Sequence, residues 1–385
     1  MSDFYFLFEN FLMQALVTCP FGLSSLLNNE LKKLKFSPIN TFETGTFVET
    51  DWNGIYRLNL WSRIANKVYV ALGVKAVTTF DEVFDFLQTI PFGNYLTSDS
   101  ISVQVTSKYS QLHSEKSLQS IAHKSILKTL GITHFSPEEQ EKREKKSDFE
   151  IFLHLENDVL RVYLNTSWNS LHQRGRRKQT WPAPLKENIA AAMILLSLWK
   201  FNQPFLDPFC GSGTIAMEAA LLAKNIAPGR GRVFDFQKFK NFEPNARNLL
   251  LEDAKKGEFS KDYQIFARDI DETVLEYAKM NAENAGVQSC IHFEKCDFLS
   301  DFSSFTPPLS ENLRLVTNPP YGKRLNADEN LDPLYQKLAL CLKECKGWVI
   351  SSYPGMKQFF NEKNLSHKQL YNGADEVDFY RKKIG

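Results

Sequence analysis

Four consecutive residues, Asn318, Pro319, Pro320 and Tyr321, have the types needed to activate an exocyclic amine of a nucleic-acid base. Such an amine is planar because its lone pair is delocalised into the ring. It is a poor nucleophile until that pair is localised, which two acceptors aimed at its two N–H bonds achieve. The Asn318 side-chain oxygen could be one acceptor and the backbone carbonyl of Pro319 the other. Two successive prolines fix φ and remove two backbone donors, so a carbonyl can point outward with no N–H competing beside it. Tyr321 offers a flat face on which an extruded base can stack, an interaction worth ~1–3 kcal/mol per base. Gly322 lets the backbone turn away closely. The four residues follow an apolar run, Leu313 to Val316, that reads as the end of a buried strand.

A second constellation lies upstream. Residues 205–214, Phe-Leu-Asp-Pro-Phe-Cys-Gly-Ser-Gly-Thr, read as a strand ending at Asp207 and Pro208, then a glycine turn, then a helix from Thr214 to Ala223 rich in alanine and aliphatic residues. Gly211 and Gly213 permit a tight turn and close approach of backbone to a ligand. Open α/β sheets bind ligands at the carboxyl ends of their strands. No Lys-Ser/Thr follows the glycines, which excludes a P-loop, and Ala216 stands where a dinucleotide fingerprint has its third glycine. A neutral nucleoside carrying an amino acid fits better than a triphosphate. Asp207 could accept from its ammonium group, and S-adenosylmethionine has such a group. Two further acidic strand ends support this cofactor. Residues 263–271 end in Asp269, where a ribose diol would be held, and Asp271, which is second for that contact or caps the following helix. Residues 291–297 end in Asp297, which could accept from an adenine amino group. The two constellations together indicate transfer of a methyl group onto an amino group.

These residues carry a family resemblance. The C-terminal half resembles class I S-adenosylmethionine-dependent methyltransferases, and more narrowly the THUMP-domain RNA guanine-N2 methyltransferases of the bacterial 23S rRNA type. The matching stretches are 172–176, 183–190, 207–214, 227–229, 232–236, 318–325 and 370–373. Phe239 departs from the tryptophan usual in the group. The resemblance implies that Pro184, Lys186 and Asn188 lie near the cofactor. It implies an α/β fold, with a Rossmann-like class I methyltransferase domain preceded by an α/β THUMP-containing RNA-binding module. It also implies structured RNA as partner, ribosomal RNA before tRNA. Adenine-N6 methylation of RNA or DNA would use the same four residues, and a non-catalytic RNA-binding assembly factor is a reading from another class. Asn318 also belongs to the cofactor-binding set, beside Asp207, Pro208, Gly211, Gly213, Thr214, Asp269, Asp271 and Asp297.

The rest of the chain must position these groups. At 385 residues it should hold two or three domains. No apolar run approaches the ~20 residues that span a bilayer, and the start lacks a basic secretory region. Six scattered cysteines argue for reduced thiols in the cytoplasm and against a metal site. The net charge of +1 does not advertise nucleic-acid binding, so distribution matters more. Residues 168–181 hold Arg174, Arg176, Arg177 and Lys178 with His172, no acid, and a tryptophan at each end. This is either an RNA-contacting stretch or a solvated linker. Lys323 and Arg324, after the amine-activating motif, are further RNA-contact candidates. In the N-terminal part, strands are expected at 13–18, 42–50 and 100–107, helices at 21–34 and 117–130, a helix-then-strand segment at 55–70, and a hairpin across Asn157-Asp158. The expected division is a ferredoxin-like part at 1–65, a THUMP core at 66–165, a basic linker at 166–181 and the methyltransferase domain at 182–385. No obligate protein partner is evident.

Overall fold

The computed structural model describes residues 12–132, 147–175, 185–299, 308–321, 330–359, 365–372 and 375–382. Arg176, Arg177, Lys178, Pro184, Lys323 and Arg324 lie outside the described residues. Among the described residues no helix is long and apolar enough to cross a membrane, and no group of three or more His, Cys, Asp or Glu could hold a metal ion.

The N-terminal strands are β1 (Met13–Thr18), β2 (Pro38–Phe42), β3 (Gly45–Thr50), β4 (Lys67–Ala76), β5 (Ile101–Lys108), β6 (Phe149–Glu156) and β7 (Val159–Asn165). They form one sheet in the order β2-β3-β1-β4-β7-β6-β5. Strand β4 makes the sheet continuous across residue 65: Lys67–Val70 pair with β1, and Tyr69–Ala76 pair with β7. In β6, buried Phe149, Ile151, Leu153 and Leu155 alternate with half-exposed residues, so one face is covered and the other is open. The helices Ser24–Lys33, Trp52–Trp61, Phe80–Thr89 and Glu115–Thr129 contribute to the same core. Asn157 and Asp158 both adopt positive φ, 51° and 59°, as a two-residue hairpin requires of its central pair. The single strand expected at 42–50 is instead a turn and strand. Gly45 opens β3 so near β1 that a Cβ there would lie 2.6 Å from the Val17 carbonyl oxygen, and Phe42 belongs to the neighbouring strand β2.

The C-terminal strands are β8 (Phe205–Asp207), β9 (Ile265–Asp269), β10 (Ile291–Lys295), β11 (Arg314–Thr317), β12 (Lys346–Ser351), β13 (Leu365–Asn372) and β14 (Asp375–Lys382). Their order is β10-β9-β8-β11-β12-β14-β13. The first five are parallel, and the β13–β14 hairpin closes the edge antiparallel, with β14 against β12. The chain steps outward from β8 to β10, then returns to lay β11 on the other side of β8. That reversal opens a crevice at the carboxyl ends of β8 and β11, where Asp207 and Asn318 stand.

The two sheets are joined through buried charge and close backbone contact. The Arg63 guanidinium donates to the Ile226 carbonyl at 2.7 Å, and burial lowers its pKa to about 10. Glu30 accepts from Ser62 Oγ at 2.6 Å and from the Arg63 amide at 2.8 Å. Gly229 donates to the Leu60 carbonyl at 2.9 Å, and a Cβ on it would meet the Asn59 oxygen at 2.7 Å. One expectation is corrected at this joint. Arg174 is not an RNA contact: it is 3% exposed, and its guanidinium donates to both Glu218 oxygens at 2.7 and 3.2 Å and to the Arg63 carbonyl at 3.1 Å. A guanidinium keeps its charge when buried, so it must be paired there. Asn188 is fully buried: its side-chain nitrogen donates to Asn66 Oδ1 at 2.8 Å, tying the first helix of the C-terminal half to the N-terminal sheet, while its Oδ1 is buried without a hydrogen-bond partner.

Removing Glu218 while keeping Arg174 leaves a buried charge without its partner. Glu218→Ala should therefore destabilise the protein by about 3–5 kcal/mol, read from urea unfolding. A loss below about 1 kcal/mol, the range of exposed pairs, would contradict this account of the joint.

Candidate active site

Strand β8 is three residues long and buried on both sides. It delivers Asp207, 1% exposed, to the bottom of the crevice. Thr317 Oγ1 donates to Asp207 Oδ1 at 2.6 Å, and the Phe209 amide approaches the same oxygen at 3.4 Å. Asp207 Oδ2 is buried with no hydrogen-bond partner. Burial pushes the Asp207 pKa up to about 7, against the opposing pull of the Thr317 hydrogen bond.

The turn after Asp207 is tied to the end of β9. The Cys210 amide donates to the Arg268 carbonyl at 2.7 Å, and the Gly211 amide donates to Asp269 Oδ2 at 2.9 Å. Gly211 has φ 50° with open space where a Cβ would stand. Glycine is thus required there by conformation, and the clear space leaves room for a close ligand. Gly213, at φ 83°, begins the helix Thr214–Ala223 and would press a Cβ to 3.0 Å from the Ala278 Cβ.

Asp269 also accepts from the Asp271 amide at 3.1 Å, and burial raises its pKa. Asp271 serves as the cap of the helix Glu272–Asn284, accepting from Thr273 at 2.8 Å and Val274 at 3.3 Å. Only its Oδ1 is engaged there, and the capping role is one of the two expected of it. Asp297 stands two residues beyond β10 and accepts from the Leu299 amide at 2.9 Å. Its loop is joined to β9 by the Cys296 amide, which donates to the Asp269 carbonyl at 2.9 Å.

Across the crevice, Asn318 follows Thr317 directly. Its Oδ1 is buried with no hydrogen-bond partner, and among the described residues no donor reaches the Pro319 carbonyl. Tyr321 is 7% exposed and belongs to the hydrophobic core. An apolar ring gains by such burial, and it is not the open platform expected for a base. Sequence reasoning did not single out Thr317 or Tyr335. The first could have been found by asking which neighbour satisfies a carboxylate buried at the end of β8. His172 is half-buried. Trp168 is 40% exposed, and its ring face is occupied by Lys238 Nζ, 3.8 Å from the centroid.

The raised pKa of Asp207 has a consequence for stability. A carboxyl that titrates near 7 when folded, against an ordinary value of 3.8, binds its proton more tightly in the native state. Its contribution to stability is fully present below pH 3.8 and is lost as pH rises through about 7. The stability of Asp207→Asn relative to the parent should therefore rise across that interval and level off above it, by thermal melts at several pH values. A difference independent of pH would contradict this placement of Asp207.

Residues 174–380 match the family described as RMKL-like, methyltransferase domain, and residues 14–69 match the RlmL ferredoxin-like domain. YpsC of Bacillus subtilis, provisionally named an RNA methyltransferase, is 30% identical over 372 residues, 95% of this chain and 94% of its own. Ribosomal RNA large subunit methyltransferase K/L of Pseudoalteromonas atlantica is 34% identical over 383 residues, 95% of this chain and 53% of its own. The chain thus spans about half the length of the K/L relative. The structure of SMU.472, provisionally described as a methyltransferase and complexed with SAH, superposes with a TM-score of 0.83 at 28% identity, covering 98% of this chain and all of its own. With a Rossmann-like sheet carrying both motifs and a ferredoxin-like module before it, the chain belongs to the RMKL-like methyltransferase domain family.

Proposed function

We propose that this protein is an S-adenosylmethionine-dependent methyltransferase that modifies the exocyclic N2 of a guanine in structured RNA, with 23S rRNA as the preferred substrate. The observation that carries the reading is the pair of unsatisfied acceptors across one crevice: Asp207 Oδ2 on one side and Asn318 Oδ1 on the other, both buried and both without donors. A buried acceptor left without a donor costs free energy, so each is suited to a donor that arrives with a ligand.

The residues present fit the cofactor. Asp207 would accept from its ammonium group, and the Gly211–Gly213 turn, with Pro208 and Thr214 at its two ends, leaves room for its backbone approach. Asp269 would take the ribose diol and Asp297 the adenine amine. S-adenosylmethionine supplies a methyl group made electrophilic by a positive sulfur that leaves as a neutral thioether. The chain's own task is then to hold the base and localise its lone pair. Asn318 Oδ1 and the Pro319 carbonyl accept from the two N–H bonds of the guanine amine, while Pro319 and Pro320 keep the segment stiff. The amine loses its proton after the transfer, so no strong base is needed.

The remaining strands of the N-terminal sheet, with the helices Phe80–Thr89 and Glu115–Thr129, are read as a THUMP core that docks RNA by shape. Ribosomal RNA is preferred because the K/L relative bears that activity in its name. His172, Arg176, Arg177, Lys178, Lys323 and Arg324 remain the proposed RNA contacts. The target base is flipped from its stack to reach the crevice.

Two outcomes are expected. Asn318→Ala should lower turnover by roughly 100-fold or more, the scale of losing one preorganised polar contact, while cofactor affinity stays near that of the parent. A collapse of cofactor affinity instead would remove Asn318 from the amine side. Incubating the protein with labelled S-adenosylmethionine and total RNA from a strain lacking this gene should place the label in N2-methylguanosine. Label in N6-methyladenosine would overturn the base assignment.

A further inference from the structure

The segment Asn318–Tyr321 follows the last residue of a strand, and its two prolines have no amide to donate. Two contacts from outside hold it. One is Thr317, whose hydroxyl is held by Asp207. The other comes from the helix Asp332–Glu344. Tyr335 is 0% exposed, and its hydroxyl donates to the Pro320 carbonyl at 3.1 Å. The same hydroxyl lies 2.6 Å from Ser351 Oγ at the end of β12. A tyrosine hydroxyl has one proton. With that proton on the Pro320 carbonyl, Ser351 must donate to Tyr335, and Ser351 Oγ in turn accepts from the Tyr353 amide at 3.0 Å. The Tyr335 ring is stacked on Tyr353, with centroids 4.4 Å apart, and Tyr353 donates to Asp332 at the start of the same helix.

We infer that Tyr335 is a positioning residue for methyl transfer: by holding the Pro320 carbonyl it clamps the far end of the amine-activating segment, with the unsatisfied Asn318 Oδ1 between two fixed points. This rests on the methyltransferase reading above. The prolines matter to the argument. With φ locked in both, the peptide after Pro320 is oriented mainly by ψ, and an external donor on its carbonyl sets that angle. The donor chain from Tyr353 through Ser351 to Tyr335 has one direction, so each hydroxyl is satisfied only when the last proton lies on Pro320. The network touches neither Asp207 nor the glycine turn, so its effect on cofactor binding is indirect and small.

The test is Tyr335→Phe, which keeps the stacked ring and removes the donor. Two readouts separate the clamp from the wider functional reading. The first needs no catalysis: exchange of the Tyr321 amide, which belongs to the peptide Tyr335 holds, should accelerate roughly tenfold or more as local opening becomes easier. The second is kinetic: turnover on RNA should fall roughly 10- to 100-fold, as small misplacements of reacting groups do, with cofactor affinity within about twofold of the parent. Ser351→Ala leaves the Tyr335 proton on Pro320 and should show a smaller effect on both. Unchanged exchange at Tyr321, unchanged turnover in an active enzyme, or a loss of cofactor affinity matching the loss of turnover would each overturn the clamp. A parent protein that transfers no methyl group to any RNA would instead overturn the methyltransferase reading, while the exchange result still decides whether Tyr335 holds the segment.

Discussion

A hydrogen bond of 2.6 Å between Thr317 Oγ1 and Asp207 Oδ1 joins two buried residues 110 positions apart in the chain. The bond exists because β8 and β11 are neighbours, and they are neighbours because the chain reverses its direction of strand addition after β10. It brings the end of the glycine-turn strand against the residue that precedes Asn318. A carboxyl this deeply buried is costly to ionise, and Thr317 offsets part of that penalty on one oxygen while leaving the other open. The rest of the crevice depends on this arrangement. Gly211 leans on Asp269, Asp269 on the loop after β10, and Asn318 stands beside Thr317 with its oxygen unsatisfied.

The same economy of buried polar groups fixes the N-terminal sheet to the catalytic half. Arg63, Arg174, Glu30 and Glu218 bring two positive and two negative side chains into the joint. Glu218 lies on the helix that the glycine turn starts. A joint built only of apolar side chains would tolerate sliding, because hydrophobic contact is non-directional. Guanidinium and carboxylate groups require particular distances and angles. Gly229 adds a steric condition, since its backbone reaches the Asn59–Leu60 segment more closely than any side chain would allow. The orientation of the N-terminal sheet is thus tied to the helix that follows the glycine turn.

Much of the secondary structure was legible. Met13–Thr18 is a strand, the helix Ser24–Lys33 lies within the expected 21–34, and the Asn157-Asp158 pair turns a hairpin, because periodicity and turn chemistry act over a few residues. The helix Phe80–Thr89 was overlooked, although its start was written in the chain: Thr79 and Glu82 form a capping box. Arg174 was misread because a run of cations at a domain junction looks like a solvent-facing patch. Only its distant partner, Glu218, shows that one member turns inward. Tyr321 was read as a platform from its type, whereas its burial depends on the core packed around it.

The sequence by itself determined the chemical inventory: an amide and two prolines after one strand, a carboxylate and two glycines after another, and further carboxylates after the next two. Those features are local, set by φ restrictions, by glycine's tolerance of positive φ and by strand-ending acids. Only the tertiary structure decided which of these groups remain available for a ligand. Arg174 is occupied by Glu218, whereas Asp207 Oδ2 and Asn318 Oδ1 are left open. Whether a buried acceptor is satisfied depends on donors brought to it from elsewhere in the chain, and strand order, not spacing along the sequence, places them.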